Sequence, residues 1–252
     1  RGRTIGDLLQ RRAGGEIAFE RLVIETSGMA DPAPIVQALA LDLALKETVV
    51  LSRIVTTVDA VLGAATLAQH DEARKQAAFA DTLVVTKTDL APPSLVEAPL
   101  HRLNPQAALV SAEHGSLDPA HLLPGDDQAR MLAKWLDLAA DAEPSHSGDI
   151  MSVTLVRSEP VPAIALTLFL EALAEACGAD LLRIKGLVQI AEAPETPAVV
   201  HGVQHVFHAL EWLDKWPSKD RRTRLVLIGR NLTPGWPRLL LQEIEREVAA
   251  LT

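Results

Sequence analysis

Short continuous apolar runs, each closed by a polar turn, alternate with segments of helical periodicity through the first half of the chain. Arg21-Leu22-Val23-Ile24 is such a run, and it ends at Glu25-Thr26-Ser27-Gly28. Unbroken apolar runs of this length are the pattern of strands buried on both faces. Asp31 then stands as an N-cap with Pro32 at the first helical position. Ile35, Val36, Leu39 and Leu43 follow at helical spacing. A second strand is predicted over 48–58, carrying Val49, Val50, Leu51, Ile54, Val55 and Val58. Asp59 ends it and can cap an alanine-rich helix reaching Ala78. A third strand covers 82–85 and ends in Thr86-Lys87-Thr88-Asp89; a helix over 94–103 and a strand around 107–110 follow. Strands alternating with helices imply an α/β fold with a parallel sheet and covered faces. Right-handed crossovers bring the strand ends to one edge, where ligands bind in such sheets.

The pattern then changes. Residues 113–125 read as loop, and a helix is predicted over 127–140. The polar run 141–149, with Pro and Gly, reads as a linker. Its core, 143–149, separates a domain over 1–142 from one over 150–252. The second domain shows strands at 151–156, 181–190, 198–207 and 224–228, with helices at 163–177 and 237–250. This β-α-β-β-β-α order suits a small α+β domain with helices on one face of an antiparallel sheet. There is no internal repeat and no low-complexity tract.

Composition narrows the possibilities. The 252 residues are 48% hydrophobic and 23% charged, as in ordinary globular proteins. The net charge of −9 argues against a nucleic-acid binder, which needs a basic face. It leaves a nucleotide possible, since a few amides and one lysine hold phosphates. Four Trp, four Phe and no Tyr give no platform for stacking single strands. The single cysteine, Cys177, excludes an internal disulfide and any zinc site drawing more than one thiolate from this sequence. A reducing, cytoplasmic setting is the simplest reading. No apolar run approaches the roughly 20 residues that span a bilayer, and no signal peptide is visible.

Three strand-end segments carry candidate chemistry. Glu25 closes an apolar strand; in nucleotide-binding P-loop proteins a carboxylate here holds Mg²⁺, directly or through water. Gly28, three residues on, lets its amide approach a γ-phosphate. A strand ending in a plain polar turn is the alternative. In Thr86-Lys87-Thr88-Asp89, the Asp89 carboxylate can accept from guanine's ring N–H and exocyclic amine, a donor pair that adenine lacks. The Lys87 stem can lie over the base plane. The alternative is a solvated turn with an aspartate helix cap. Ser111-Ala112 follows the next strand; in guanine-nucleotide folds such a pair brings an amide to the guanine oxygen. An ordinary strand end is the alternative. Order and spacing join the three, because each lies at a strand's C-terminal end.

Glu25-Thr26-Ser27-Gly28-Met29-Ala30-Asp31-Pro32, with Pro34-Ile35-Val36 after it, resembles the signature of the CobW-type GTPases. Thr86-Lys87-Thr88-Asp89-Leu90 is similar to the guanine-specificity turn of that family, with Thr where Asn is more usual. Arg183-Ile184-Lys185-Gly186, with Val188 after it, and the segment from Arg224 to Leu232 resemble its C-terminal domain. The resemblance covers nearly the whole chain. It implies a P-loop GTPase domain followed by a small α+β domain. It also implies a metal chaperone or metal-insertion accessory protein using GTP and Mg²⁺, with a client metalloprotein as partner. Thr26, Ser27, Thr86, Lys87, Asp89, Ser111 and Ala112 would then contact nucleotide. Glu25 and Gly28 would act at the Mg²⁺ and the γ-phosphate.

Two family elements are not in this sequence. It has no Gly-Lys pair, hence no phosphate-binding loop, and no Cys-x-Cys-Cys metal motif. Both are expected upstream of Arg1, and through those cysteines a transition metal such as zinc or cobalt. Nucleotide state would move the segments around 1–7 and 28–34 and so keep or release that metal. A non-catalytic module docking a client through its C-terminal sheet is the reading from another class.

Other features read as bland. Val199, His201, Val203, His205 and Phe207 are expected on one face of a strand, with His208 on the other. His201 and His205 would then lie about 13 Å apart, too far to share an ion; a helix would instead bring His201, His205 and His208 together, as a metal site would need. Cys177 is expected to behave as a small hydrophobe. Arg221-Arg222-Thr223-Arg224 reads as a solvated loop before a strand, and the remaining histidines have no ligand-like spacing.

Overall fold

The computed structural model describes residues 2–28, 30–46, 48–123, 145–147, 149–204, 206–207 and 210–251. The helix expected over 127–140 lies outside the described residues, as do His205 and His208. The chain divides into two compact units, Arg1–Ser52 and Arg53–Thr252.

The first unit is helical. Helix α1 (Gly2–Ala13) was not expected, although Ile5, Leu8 and Leu9 carry its i, i+3, i+4 spacing. Helix α2 (Ala33–Leu41) starts one residue later than predicted, with Pro32 and not Asp31 at the N-cap, and Asp31 Oδ1 accepts from the Ala33 amide at 3.0 Å. Its Val36 and Leu39 are buried. The helical stripe does not run on unbroken to Leu43. Asp42 intervenes, its Oδ1 accepting from the Ala44 amide at 3.0 Å, and starts the short helix α3 (Leu43–Lys46). Short polar side chains compete with helix continuation in this way. The apolar run 21–24 is not a strand; Val23 is 82% exposed. An apolar run becomes a strand only where a neighbour supplies the ladder, and none pairs with it among the described residues.

The second unit begins with a parallel sheet of β1 (Val55–Asp59), β2 (Thr82–Thr86) and β3 (Ala108–Ala112), in that spatial order. The strand predicted over 48–58 starts only at Val55, because Thr48 and Val49 donate their amides back to Leu45. The alanine-rich helix is two: α4 (Gly63–Gln69) and α5 (Asp71–Phe79). His70, extended between them, ends the first, and Asp71 and Glu72 favour the start of the second through the helix dipole. Helix α6 (Ser94–Leu103) follows β2 as expected. Asp59 pairs in register with Thr86, and Thr86 with Ala112, so the three strands end together on one edge.

An antiparallel sheet completes this unit. It contains β4 (Ser145–Ser147), β5 (Ile150–Arg157), β6 (Leu181–Ile190), β7 (Ala193–Val203), β8 (Val206–Phe207), β9 (Glu211–Trp212) and β10 (Thr223–Arg230). The order is β4-β5-β10-β6-β7-β8, with β9 on β7. Helices α7 (Ala163–Cys177) and α8 (Trp236–Leu251) cover one face, where Phe169, Leu173 and Leu241 meet Ile184, Val200 and Leu227. Between β6 and β10 the backbones approach so closely that a Cβ on Gly186 would lie 1.9 Å from the Arg224 carbonyl oxygen. The strand predicted over 198–207 ends at Val203. Gln204, at φ 53°, turns the chain, and Phe207 returns opposite Gly202. The single strand expected from Val199 to Phe207 is therefore broken after Val203; the expected His201–His205 separation falls outside the described residues.

The uncovered face of this sheet meets the parallel-sheet layer through polar groups. Asn104, 1% exposed, donates from Nδ2 to the carbonyls of Ala77, Ala78 and Ala80 at 2.8 to 3.2 Å. Its Oδ1 accepts from the amides of Gln106 and Ala107. Gln106 Nε2 donates in turn to the Val226 carbonyl at 3.2 Å. Asn104→Ala orphans these groups and is expected to cost about 2–3 kcal/mol in urea denaturation. Asn104→Asp, lacking the donors, should not restore stability; recovery by Asp would refute the donor role. No helix among the described residues is long and apolar enough to cross a membrane.

Candidate functional site

Polar groups gather where the three parallel strands end. β2 gives way to Lys87, whose φ of 58° lies in the left-handed region. Its carbonyl accepts from the amides of Leu90 and Ala91, closing the turn. The Lys87 ammonium reaches sideways to β1 and donates to Asp59 Oδ2 at 2.6 Å. Asp59 Oδ1 accepts from the amides of Val61 at 2.7 Å and Leu62 at 3.1 Å. The Lys87 hydrogen bond and these two amides hold the Asp59 carboxyl below the usual carboxylate range, against the opposing effect of burial. On the other side, Thr88 Oγ1 donates to the Ala112 carbonyl at 3.3 Å. The turn is thus fastened to both neighbouring strand ends.

Asp89 follows, two residues after Lys87. His114 Nε2 lies 3.6 Å from Asp89 Oδ2, with 82% of the His114 side chain exposed. His114 and Gly115 both have positive φ, and the Ser116 amide donates to the Glu113 carbonyl at 2.7 Å. This tight turn follows directly from β3 and brings the imidazole back towards Asp89.

Thr86, Lys87, Asp89, Ser111 and Ala112 therefore share one edge. Asp59 and His114 join them. Asp59 was expected to cap the following helix; instead Leu62 is the N-cap of α4 and Asp59 closes the turn before it, while its second partner needed the β1–β2 register. His114 carried no spacing signal, because its approach depends on the turn after β3. Glu25, Thr26, Ser27 and Gly28 belong to the first unit. There the Ala30 amide donates to the Ser27 carbonyl at 3.0 Å, closing a turn. Glu25 is exposed. A Cβ on Gly28 would meet nothing within 4 Å, so internal packing does not require glycine at this position.

Chemically, the edge offers a carboxylate with two acceptor oxygens beside a fixed ammonium. That set suits a planar heterocycle with two adjacent N–H donors. Elsewhere, Cys177 lies half-buried at the end of α7, and burial raises its thiol pKa. Among the described residues no group of three or more His, Cys, Asp and Glu could hold a metal ion.

Residues 3–111 match the family model for the CobW/HypB/UreG nucleotide-binding domain. Residues 150–245 match the model for the cobalamin synthesis protein CobW C-terminal domain. The chain is 30% identical over 232 residues to the zinc chaperone YjiA of Escherichia coli (strain K12), covering 90% of this chain and 71% of that protein. It is 36% identical over 104 residues to the zinc-regulated GTPase metalloprotein activator 1 of Schizosaccharomyces pombe, covering 40% of this chain and 25% of that one. The crystal structure of the Zn(II)-bound YjiA GTPase from E. coli superposes with a TM-score of 0.77 at 26% identity, covering 95% of this chain and 76% of that chain.

Proposed function

The chain belongs to the CobW family of nucleotide-binding proteins, and from that premise we propose that it is a GTP-binding metal chaperone or metal-insertion accessory protein. One observation carries the reading: Lys87 and Asp89, on a turn tied to Asp59 and Ala112, stand together at the ligand-binding edge of the parallel sheet. Asp89 accepts from guanine's ring N–H and exocyclic amine. The Lys87 stem lies against the base, and the Ser111-Ala112 segment offers an amide to the guanine oxygen.

Glu25 holds Mg²⁺ through water, and Gly28 meets the γ-phosphate within the Glu25-Thr26-Ser27-Gly28 segment. A lone exposed carboxylate fits that role, because Mg²⁺ keeps most of its waters and takes one or two carboxylates beside the phosphates. The ion would neutralise phosphate charge. The loop holding the β- and γ-phosphates, and the cysteines holding the metal, are proposed to lie upstream of Arg1. Zinc is the favoured cargo, in line with the zinc chaperone among the relatives. GTP serves as a conformational gate for delivery to a client metalloprotein, with slow hydrolysis.

Titrating GTP and ATP against this chain, and against the product of the reading frame extended upstream, tests the proposal. Weak binding by the shorter chain and guanine-selective binding by the longer one are expected. An extended protein that ignores GTP would overturn the reading in favour of a client-docking module.

A further inference from the structure

Asp59 divides its two carboxylate oxygens between separate tasks. Oδ1 takes the amides of Val61 and Leu62, at the approach to α4. Oδ2 takes the Lys87 ammonium at 2.6 Å. Lys87 is therefore fixed at both ends. Its backbone is held in the left-handed region by the turn, and its tip is held by a residue 28 positions earlier in the chain. A free lysine side chain samples many rotamers, and ordering it costs up to about 2 kcal/mol. The pair itself does little for stability. The Lys87 side chain is 55% exposed, and ion pairs that open to water contribute about 0–1 kcal/mol. Its geometry does something else: it stretches the methylene stem along the sheet edge from the base-reading turn towards β1.

We propose that Asp59 is a positioning residue for base recognition, holding the Lys87 stem as a preformed platform for one face of the guanine ring. This rests on the reading of Lys87 and Asp89 as guanine-binding residues. Ordering the lysine before the nucleotide arrives removes that entropy cost from binding. The low Asp59 pKa is consistent with a carboxylate that stays ionised, and so keeps its grip, at neutral pH.

Asp59→Asn separates the two tasks. Asparagine still accepts through Oδ1 and holds such a turn as well as aspartate does, but its amide group cannot accept from the ammonium. In the protein extended upstream as proposed, Asp59→Asn is expected to weaken GTP and GDP about five- to tenfold, because part of the ordering entropy of the Lys87 side chain then falls on the binding step. The nucleotide-free melting temperature should hardly move. In a Lys87→Ala background the same change should add nothing, because Asp59 acts through Lys87. Unchanged or tighter GTP binding by Asp59→Asn overturns the proposal, and so does an equal loss in both backgrounds. If Lys87→Ala and Asp89→Asn both leave GTP affinity intact, the guanine reading itself falls and takes this inference with it. Asp59→Ala, which also loses the turn bonds to Val61 and Leu62, should lower the melting temperature and so separates a folding defect from a binding one.

Discussion

Asp89→Asn is expected to exchange guanine for xanthine. Guanine presents a ring N–H and an amine side by side, and a carboxylate accepts from both. An asparagine in the same place keeps one acceptor and replaces the other with a donor. It would then face the guanine amine donor to donor. Xanthine carries a carbonyl oxygen where guanine carries the amine, so it matches the asparagine amide. Leaving a partly buried donor unpaired and losing a charged acceptor together cost about 2.7 kcal/mol or more, roughly a hundredfold in affinity. GTP binding by the variant should fall by about that factor and XTP binding should rise. Competition between the two nucleotides, read by calorimetry, checks this. Equal GTP affinity in wild type and variant would refute the role of Asp89. The nearby His114 does not alter the expectation, since its highly exposed ring contributes little to holding the carboxylate.

Loss of Asp81 should be the most damaging single charge deletion for stability. Asp81 stands just before β2, and Arg183 and Lys185 reach it from β6, the lysine at 3.3 Å. Asp81 Oδ2 also accepts from the Ile54 amide at 2.9 Å, and the Arg183 guanidinium donates to both Asp81 and the Phe79 carbonyl. Burial alone would raise the Asp81 pKa; Arg183 and Lys185 outweigh it and hold the carboxyl well below the usual carboxylate range. Burial likewise lowers the Lys185 pKa, against the pull of Asp81. Asp81→Ala would leave two buried cations facing each other. Removing one partner of a buried pair costs about 3–5 kcal/mol, and the 19% exposure of Asp81 points to the low end.

The sign of the pH dependence follows from the depressed pKa. Asp81 adds its full stability above its unfolded pKa, about 3.9. That contribution is lost as pH falls through the folded-state value. Denaturant titrations should therefore show the gap between wild type and Asp81→Ala wide at pH 7 and narrowing below about pH 4. A gap that stays constant down to pH 2, or that is absent at pH 7, would contradict the assignment.

Local patterns reached the sequence reading intact where local physics decides. The run 82–85, the helix 94–103 and the helix 163–177 needed only periodicity and their flanking turns. Non-local pairing was out of reach. Arg21-Leu22-Val23-Ile24 is as apolar as Leu83-Val84-Val85, yet only the second has neighbours on both sides. The break at His70 and the reversal at Gln204 hide behind favourable composition, because neither position holds a glycine or proline. In the candidate site, Lys87 and Asp89 were visible as a motif and Ser111-Ala112 by its spacing after them. The second oxygen of Asp59 was not visible, since its partner lies across a strand pair. Arg183 and Lys185 looked like residues of a family motif. Their pairing with Asp81 depends on a sheet face that lies against another layer instead of water.

Strand β2 carries Asp81 just before it and Lys87 just after it. One end is anchored to the antiparallel sheet through Arg183, the other to the end of β1 through the Lys87–Asp59 pair. The strand therefore behaves as a strut of fixed length, about 17 Å for five residues. Adding or removing one residue within 82–86 would reverse which side each strand residue faces, so both ends could not dock at once. Length variation among relatives is thus expected to avoid β2 and to collect in loops. The spacing from Asp81 to Lys87 becomes a ruler by which other sequences can be tested for the same arrangement.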